Sequence, residues 1–217
     1  MKVLRRQRDT TLQDRLVWQV ASLLLAYPDE QYAARLATAQ QLLAHLSSPP
    51  ADLLGRAVAA LAGLDPMRAA TGYVDTFDMR RTCTMYLTYW TAGDTRNRGN
   101  HMLEFLHAYQ AAGAAPPQHE APDHLPVVLE FAATVDPAAG RRLLVEHRVP
   151  IDVLRDALAT SGPVYADVLT AVCATLPPAG PADRQRAQQL ASAGPPTESV
   201  GLQPFTLTVP PRRTQEA

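Results

Sequence analysis

Apolar residues recur at helical spacing along most of the chain. A possible capping box, Thr10-Thr-Leu-Gln13, precedes leucine and valine residues spaced three and four apart, and this pattern stops before Pro28. A second helical segment, with Asp29 as its possible N-cap, stops at Ser47-Ser-Pro-Pro50. Alternating strand patterns are nearly absent as far as Leu176. The pattern therefore predicts an all-α fold.

Several helix ends carry specific capping signals. Asp65-Pro66 and Asp136-Pro137 each place an aspartate at the N-cap before a proline at the first helical position, and Gly162-Pro163 is a weaker version. Gly93 and Gly113 stand where helix C-caps are expected, since glycine adopts the left-handed conformation without strain. The sequence thus predicts helix boundaries as well as helix interiors.

The composition changes at Pro177. The segment from there to Ala217 contains eight prolines and one aromatic residue, Phe205. Apart from a possible short helix at Arg184–Leu190, such a segment buries too little apolar surface to offset its ordering entropy. We predict a flexible N-terminus at residues 1–9, one all-helical domain at 10–177 and a disordered proline-rich tail at 178–217.

Charge and missing motifs exclude several classes of function. A net charge of −1 gives no reason to expect nucleic acid as a partner. Lys2 is the only lysine, which excludes a phosphate-binding loop with an internal lysine and Schiff-base chemistry. Neither a Gly-x-Gly-x-x-Gly fingerprint nor a Gly-x-Ser-x-Gly turn occurs. The longest apolar stretch, Val17–Tyr27, is too short to span a membrane and no targeting signal is evident, so a cytoplasmic protein is expected.

Two cysteines, Cys83 and Cys173, lie far apart in apolar surroundings. Free cysteine commonly behaves as a small buried hydrophobe, and no Cys-x-x-Cys metal motif is present. We expect two buried, reduced thiols.

Aromatic residues concentrate in one part of the chain. Of the 13 aromatic residues, seven fall between residues 73 and 109: Tyr73, Phe77, Tyr86, Tyr89, Trp90, Phe105 and Tyr109. Acidic and basic residues, Asp75, Asp78, Arg80 and Arg81 among them, are interleaved with the aromatic ones. An aromatic surface with polar groups suits the binding of a peptide, although each ring alone would fit an ordinary core.

Two loops have unusual polar sequences. Gly93-Asp-Thr-Arg-Asn-Arg-Gly99 joins two predicted helices tightly, and Asp94 or Thr95 can cap the second. Glu120-Ala-Pro-Asp-His-Leu-Pro126 places a carboxylate and an imidazole at a helix start that we expect to be exposed, with Asp123 as a natural N-cap. The Asp123-His124 pair is also compatible with acid–base chemistry.

A metal site is the main alternative. Glu104-Phe-Leu-His107 matches half of the motif of di-iron helix bundles, but the second copy is missing, so His101 and His107 are interpreted as structural. A metal-dependent hydrolase would combine those two histidines with Asp123 and His124. A helical transcription regulator is disfavoured because no predicted helix carries a one-sided run of arginine.

Four segments together resemble a known family. They are Leu25-Ala-Tyr-Pro-Asp29, Tyr73-Val-Asp-Thr-Phe-Asp78, Leu87–Gly99 and Ala121-Pro-Asp-His-Leu-Pro126. In order and spacing they resemble the nitrate reductase molybdenum cofactor assembly chaperones, the NarJ-type or delta-subunit branch of the TorD-like chaperones. The resemblance covers about Leu16 to Leu176 and leaves out the tail.

The resemblance implies a non-enzymatic, all-helical chaperone. Its implied partner is the catalytic α subunit of respiratory nitrate reductase, held by its N-terminal segment in the cytoplasm while the molybdenum cofactor and iron–sulfur clusters are inserted. Cofactor-biosynthesis proteins are further possible partners. The chaperone itself is expected to need no cofactor, because the molybdenum cofactor belongs to the client enzyme.

The resemblance also suggests site residues. The residues expected to bind the client segment are Tyr73, Phe77, Asp78, Tyr86, Trp90, Pro122, Asp123 and His124. The motif and loop residues expected to support them are Gly93, Asp94, Arg96, Arg98, Gly99, Pro126 and Glu130. Many family members carry Leu-Phe where this chain has Thr76-Phe77. Of the acidic residues, we expect Asp75, Asp78 and Asp123 to pair with basic client side chains.

Overall fold

A computed structural model describes residues 2–93 and 97–194, with side chains described for residues 12–93 and 98–194. Its regular structure is helical in these ranges, apart from one isolated antiparallel bridge between Tyr86 and His124. The predicted all-α fold is confirmed.

The α-helices are numbered in chain order. They are α1 (Lys2–Leu25), α2 (Tyr32–Leu43), α3 (Pro50–Ala62), α4 (Pro66–Tyr73), α5 (Tyr89–Ala92), α6 (Asn97–Ala111), α7 (Leu125–Glu130), α8 (Pro137–Glu146), α9 (Arg148–Ser161), α10 (Pro163–Thr175) and α11 (Pro181–Ala193). Two π-helical segments, Val74–Asp78 and Phe131–Val135, continue α4 and α7, and a 3₁₀ turn covers Arg81–Cys83. Helical turns of π type are rare and occur frequently at functional sites.

The capping signals at Asp65, Asp136, Gly162, Gly93 and Gly113 are confirmed. Asp65 accepts a hydrogen bond from the backbone of Arg68, and Asp136 accepts from two amides of the first turn of α8. Gly162 is the N-cap of α10, with proline next to it. Gly93 and Gly113 both have positive φ values, 62° and 67°, as expected for the residues that end α5 and α6.

The core is built on α1 and α10. Helix α1 packs against α2, α3, α7 and α10, and α10 also packs against α3 and α9. The largest fully buried side chains include Trp18, Phe131, Leu144 and Ile151. Trp18 donates its indole N–H to Thr175 Oγ1 at 2.8 Å, which ties α1 to the end of α10. Helices with apolar stripes on one face account for this arrangement.

One close backbone contact fixes the second π-helical segment. A Cβ atom on Gly140 of α8 would stand 2.3 Å from both Cα and Cβ of Ala132. Since no side chain fits in that space, glycine alone allows α8 to lie against the segment Phe131–Val135. This contact positions the end of α7.

Three boundary predictions need correction. Helix α1 begins at Lys2 and not at Thr10, while the flexibility expected of residues 1–9 stays a prediction. Asp29 is not the N-cap of α2, which is Gln31; its carboxylate instead accepts the Gln31 amide in the preceding turn. The tail at 178–217 was predicted to be disordered apart from a possible short helix at Arg184–Leu190, and α11 extends that helix to Pro181–Ala193 and packs along α9. Residues 195–217 lie outside the described part of the chain.

The helix in this part of the chain is longer than predicted because the prediction weighed only burial. In α11 none of the side chains is buried, and Gly180 with Asp183 forms a backbone-to-carboxylate cap at 3.0 Å. The chain before α11 is held by Arg148, whose guanidinium donates to the Pro177 carbonyl at 2.7 Å. Local capping and polar anchoring thus order a helix that has no apolar face of its own.

Cys83 and Cys173 are both free and buried, as predicted. Burial raises the pKa of the Cys173 thiol to about 11. Across the described residues, none of the helices combines the length and the apolar character that a membrane span requires.

Candidate functional site

A cleft of about 450 Å³ opens between the end of α1, the first π-helical segment and the start of α7. Its aromatic side chains are Tyr27, Tyr73, Phe77, Tyr86 and His124. Its acidic side chains are Asp29, Asp78, Glu120 and Glu130. The remaining lining residues are Ser22, Ala26, Thr84, Met85, Pro126 and Val127.

Two short extended segments hold one side of the cleft. The Leu125 amide donates to the Met85 carbonyl at 2.9 Å, and the Leu87 amide donates to the Asp123 carbonyl at 3.1 Å. This pairing places Tyr86 opposite His124. Pro126 restricts the first turn of α7, and its carbonyl accepts a hydrogen bond from Ser22 Oγ at 2.9 Å, which joins that turn to α1.

Tyr73 and Phe77 form an aromatic wall. Tyr73 lies in edge contact with Tyr27, 5.4 Å between ring centroids, and 4.7 Å from Phe77, which in turn contacts Tyr165 of the core. The Tyr73 hydroxyl donates to the Leu25 carbonyl at 3.1 Å, and burial raises the pKa of this phenol well above its usual value. Both rings are thus rigidly held, with small exposed parts facing the cleft.

Tyr86, His124 and Glu120 form the facing side. The His124 ring stacks on Tyr86 at 4.9 Å, and its Nδ1 lies 2.7 Å from Glu120 Oε2. Burial lowers the pKa of His124 to about 4, against a weaker opposing effect of Asp123, and burial also raises the pKa of Glu120. The imidazole is therefore neutral at pH 7, so its contact with Glu120 is not an ion pair.

The cleft is acidic. It is lined by four carboxylates, and no arginine or lysine is among the described lining residues. One carboxylate, that of Asp29, is neutralised from outside the cleft by Arg35 at 2.8 Å. Aromatic rings beside uncompensated carboxylates favour a ligand that carries both apolar and positively charged groups.

Asp123 does not line the cleft and is not the N-cap that the sequence predicted, while its role in client binding stays a prediction. Its side chain is fully buried and accepts hydrogen bonds from both the amide and the hydroxyl of Thr88, while Arg98 Nη2 lies 3.6 Å away. The N-cap of α7 is His124, without a side-chain cap. The carboxylate points inward because Thr88 and Arg98 offer it polar partners there, so it is shielded from direct pairing with a client residue.

The other predicted site residues divide into two groups. Tyr73, Phe77, Asp78, Tyr86, His124, Pro126 and Glu130 line the cleft. Trp90 does not, because its ring is buried and its indole N–H donates to the Thr84 carbonyl at 3.2 Å. Pro122 is buried beside Asp123 and outside the lining set.

The structure describes only part of the predicted loop Gly93–Gly99. Gly93 ends α5, and Gly99 lies in α6 with open space around its Cα. Asp94 and Arg96 lie outside the described residues. Arg98 is described and stands behind Tyr86, with its guanidinium carbon 5.1 Å from the ring centroid.

Thr76 is turned away from the cleft. It is buried, its hydroxyl donates to the Gly72 carbonyl at 2.7 Å, and its methyl faces Gly162. The departure from the family pattern at this position therefore does not alter the cleft surface.

Residue types alone did not identify Tyr27 and Asp29 as lining residues. Both belong to Leu25-Ala-Tyr-Pro-Asp29, one of the four segments that carry the family resemblance, which was the available signal. Tyr27 is about half exposed at 48% and forms the rim of the cleft.

The hydrolase alternative finds no support in the described residues. No group of three or more histidine, cysteine, aspartate or glutamate side chains is placed there to hold a metal ion. Asp123 is buried, whereas His101 and His107 lie exposed on α6.

The sequence was then compared with known proteins. Over 160 residues it is 59% identical to the "nitrate reductase-like protein NarX" of Mycobacterium tuberculosis, a match that covers 74% of this chain but 24% of that much longer relative. It is 30% identical over 167 residues to the "probable nitrate reductase molybdenum cofactor assembly chaperone NarJ" of Bacillus subtilis, covering 76% of this chain and 91% of the relative.

The NarJ protein of Escherichia coli K12 is 32% identical over 117 residues, about half of each chain (52% and 50%). Residues 29–171, which include all of the cleft's lining residues except Ser22, Ala26 and Tyr27, match the family described as "nitrate reductase delta subunit". The helical fold, the cleft and this match agree with the resemblance seen in the sequence. The chain belongs to the nitrate reductase delta subunit family.

Proposed function

We propose that this protein is a chaperone for the catalytic α subunit of a respiratory nitrate reductase. It binds the N-terminal segment of that subunit in the cytoplasm and supports insertion of the molybdenum cofactor, and of iron–sulfur clusters, before the enzyme docks on the membrane. The names of the relatives from Bacillus subtilis and Escherichia coli support the assembly role. The cleft is the observation that supports peptide binding.

The shape of the cleft suits the apolar face of an amphipathic segment. Two rigid rings, Tyr73 and Phe77, form one wall, while Tyr86 stacked on His124 forms the other. A helix or turn laid in such a groove buries its apolar anchors, and each well-buried anchor contributes about 1.5–3 kcal/mol before ordering costs. The acidic residues around the walls would orient a segment that also carries basic residues.

Binding alone accounts for the side chains of the cleft. His124 is a neutral imidazole stacked on a phenol, and no nucleophile with a lowered pKa faces it among the described residues. We therefore propose no reaction at this site, and the molybdenum cofactor is treated as part of the client.

The direct test is a calorimetric titration of the full chain with a synthetic peptide of the α subunit's N-terminal segment. Tyr27→Ala is the informative variant because Tyr27 is half exposed, so its loss leaves the core intact. We expect the affinity to fall about tenfold at an unchanged melting temperature. Phe77→Ala is less informative, since removal of a buried phenylalanine costs about 3–5 kcal/mol of stability.

Met67→Ala is the matched control, since Met67 is 74% exposed on α4 and does not line the cleft. A scrambled peptide controls for non-specific binding. The assembly role is tested in cells: deletion of the gene should lower the molybdenum content of the purified α subunit, and wild-type protein should restore it. Absence of peptide binding, or full molybdenum content without the gene, would contradict the proposal.

A further inference from the structure

The four carboxylates of the cleft are not equivalent. Asp29 forms an ion pair with Arg35 at 2.8 Å, and its carboxylate also accepts a hydrogen bond from the Gln31 amide at 2.8 Å. Glu120 lies against the Nδ1 atom of His124 at 2.7 Å. Asp29 thus already has partners within the protein, which reduces what it gains from a ligand, and the neutral His124 ring already occupies the space beside the Glu120 carboxylate.

Asp78 and Glu130 differ from these two. Both are exposed, and neither carboxylate has a hydrogen-bond or ion-pair partner among the described side chains and amides. Asp78 is the last residue of the first π-helical segment, and Glu130 is the last residue of α7, directly before the second. Asp78 therefore stands where its helix ends, Glu130 stands where α7 passes into the π-helical segment, and each is presented to the cleft unpaired.

The two unpaired carboxylates border different parts of the cleft. The charge of Asp78 contributes to the raised pKa of both Tyr73 and Tyr86, the two facing walls. The charge of Glu130 contributes instead to the raised pKa of Tyr109, whose hydroxyl contacts the Val127 carbonyl at 3.5 Å. Since Asp78 belongs to the first π-helical segment and Glu130 to the end of α7, a segment lying along the cleft would meet them at separate positions.

We propose that Asp78 and Glu130 are the residues that determine the specificity of this cleft for basic segments. Each binds one positively charged side chain of the ligand, while an apolar side chain of the same segment packs on Tyr73 and Phe77. This inference rests on the proposed function and adds the recognition chemistry to it.

The physical reason is the cost of covering a charge. In the free protein both carboxylates are hydrated, so their unpaired charges cost little free energy. A ligand that covers them with neutral groups removes that hydration without replacement, whereas a guanidinium or ammonium group replaces it with a charge-assisted hydrogen bond. The cleft thus rejects neutral and acidic segments as well as attracting basic ones.

The test uses Asp78→Asn, Glu130→Gln and the double variant in the full chain. The probes are the N-terminal α-subunit peptide and the same peptide with arginine replaced by citrulline and lysine by acetyl-lysine. We expect each single variant to bind the charged peptide about three- to tenfold more weakly, with a smaller dependence on salt. The neutral peptide should bind the wild type more weakly, and the double variant should no longer distinguish the two peptides.

Asp75→Asn is the matched control. The sequence alone predicted that Asp75 pairs with a basic client side chain, but Asp75 does not line the cleft, although it is exposed on the same π-helical segment as Asp78. Its replacement removes the same charge. It should keep the wild-type affinity apart from a small long-range effect. Asp29→Asn and Glu120→Gln should weaken binding less than the two proposed residues do.

The outcomes separate the two proposals. If the wild type binds the charged peptide and Asp78→Asn, Glu130→Gln and the double variant all match Asp75→Asn, the specificity inference is overturned while peptide binding stands. If the neutral peptide binds the wild type as tightly as the charged one, the inference is overturned as well. If neither peptide binds the wild type, the proposed function fails and the inference fails with it.

Discussion

The guanidinium of Arg98 lies 5.1 Å from the centre of the Tyr86 ring while one of its nitrogens, Nη2, lies 3.6 Å from the buried Asp123 carboxylate. The Arg98 Nε also donates to Thr88 Oγ1 at 3.3 Å, and the same hydroxyl donates to Asp123. One cation from α6 thus compensates a fully buried acid and supports a ring of the cleft.

This relationship predicts a coupled loss of stability. Arg98→Gln leaves the Asp123 carboxylate buried with Thr88 as its remaining partner, and we expect the free energy of unfolding to fall by about 1–3 kcal/mol. In the double variant with Asp123→Asn, the total loss should be smaller than the sum of the single losses. Urea unfolding followed by circular dichroism measures all three, and strict additivity would disprove the coupling.

Arg80→Gln is the control for that series. Arg80 is exposed and has no ion pair or side-chain hydrogen bond among the described residues. Its replacement should change the free energy of unfolding by no more than about 0.5 kcal/mol.

The buried imidazole of His124 predicts a pH dependence. Since the pKa of His124 is lowered to about 4 in the fold, mainly by burial, the unfolded chain binds its proton more readily between about pH 6.5 and 4. Stability is therefore lost as the pH falls through this range. His124→Gln should remove about 2 kcal/mol of the loss between pH 7 and pH 5.

Thermal melts at both pH values check this prediction. The raised pKa of Glu120 acts in the opposite direction and is kept in the variant, while His147, also buried with a lowered pKa, adds a loss of the same sign. His107→Gln, an exposed position on α6, should leave the pH dependence as it is. An unchanged pH dependence in His124→Gln would show that folding does not lower the pKa of this imidazole.

Replacing glycine by alanine should have opposite effects on stability at two sites, because one of them lies at the contact between α8 and the second π-helical segment. Gly140→Ala places a Cβ 2.3 Å from Ala132, and we expect it to cost about 1–3 kcal/mol or more of stability. Gly55→Ala in α3 meets nothing within 4 Å and should stabilise the protein by up to about 1 kcal/mol. Melting temperatures of the two variants decide; a stable Gly140→Ala protein would contradict the close packing.

The fold was largely predictable because its signals are local. Helical spacing, the Asp-Pro pairs at residues 65 and 136 and the positive φ of Gly93 all depend on neighbours in sequence. The contact of Gly140 with Ala132 was not predictable, because nothing in the sequence says which helix approaches a given glycine.

The residues of the site could largely be predicted from the sequence, but the directions in which their side chains point could not. Three of the four segments that carried the resemblance contribute lining residues, whereas the described part of Leu87–Gly99 contributes none, and Asp123 and Trp90 point into the interior. A residue at the start of a helix can cap it or turn inward, and Asp123 turns inward because Thr88 lies 35 positions earlier in the chain and Arg98 lies in another helix. Partners so distant in sequence leave no local signal.

The two hydrogen bonds that pair Met85–Leu87 with Asp123–Leu125 tie the chain into a closed loop of residues 88–122. This loop contains α5 and α6 and is joined to the rest of the fold by ring contacts of Phe105 with His147 and of Tyr109 with Phe131. The Tyr86–His124 pair lies where the two ends of this loop meet, and it also forms one wall of the cleft. Detachment of the loop and loss of that wall are therefore one cooperative event, and any ligand held by both rings slows amide hydrogen exchange along α6, far beyond its own contacts.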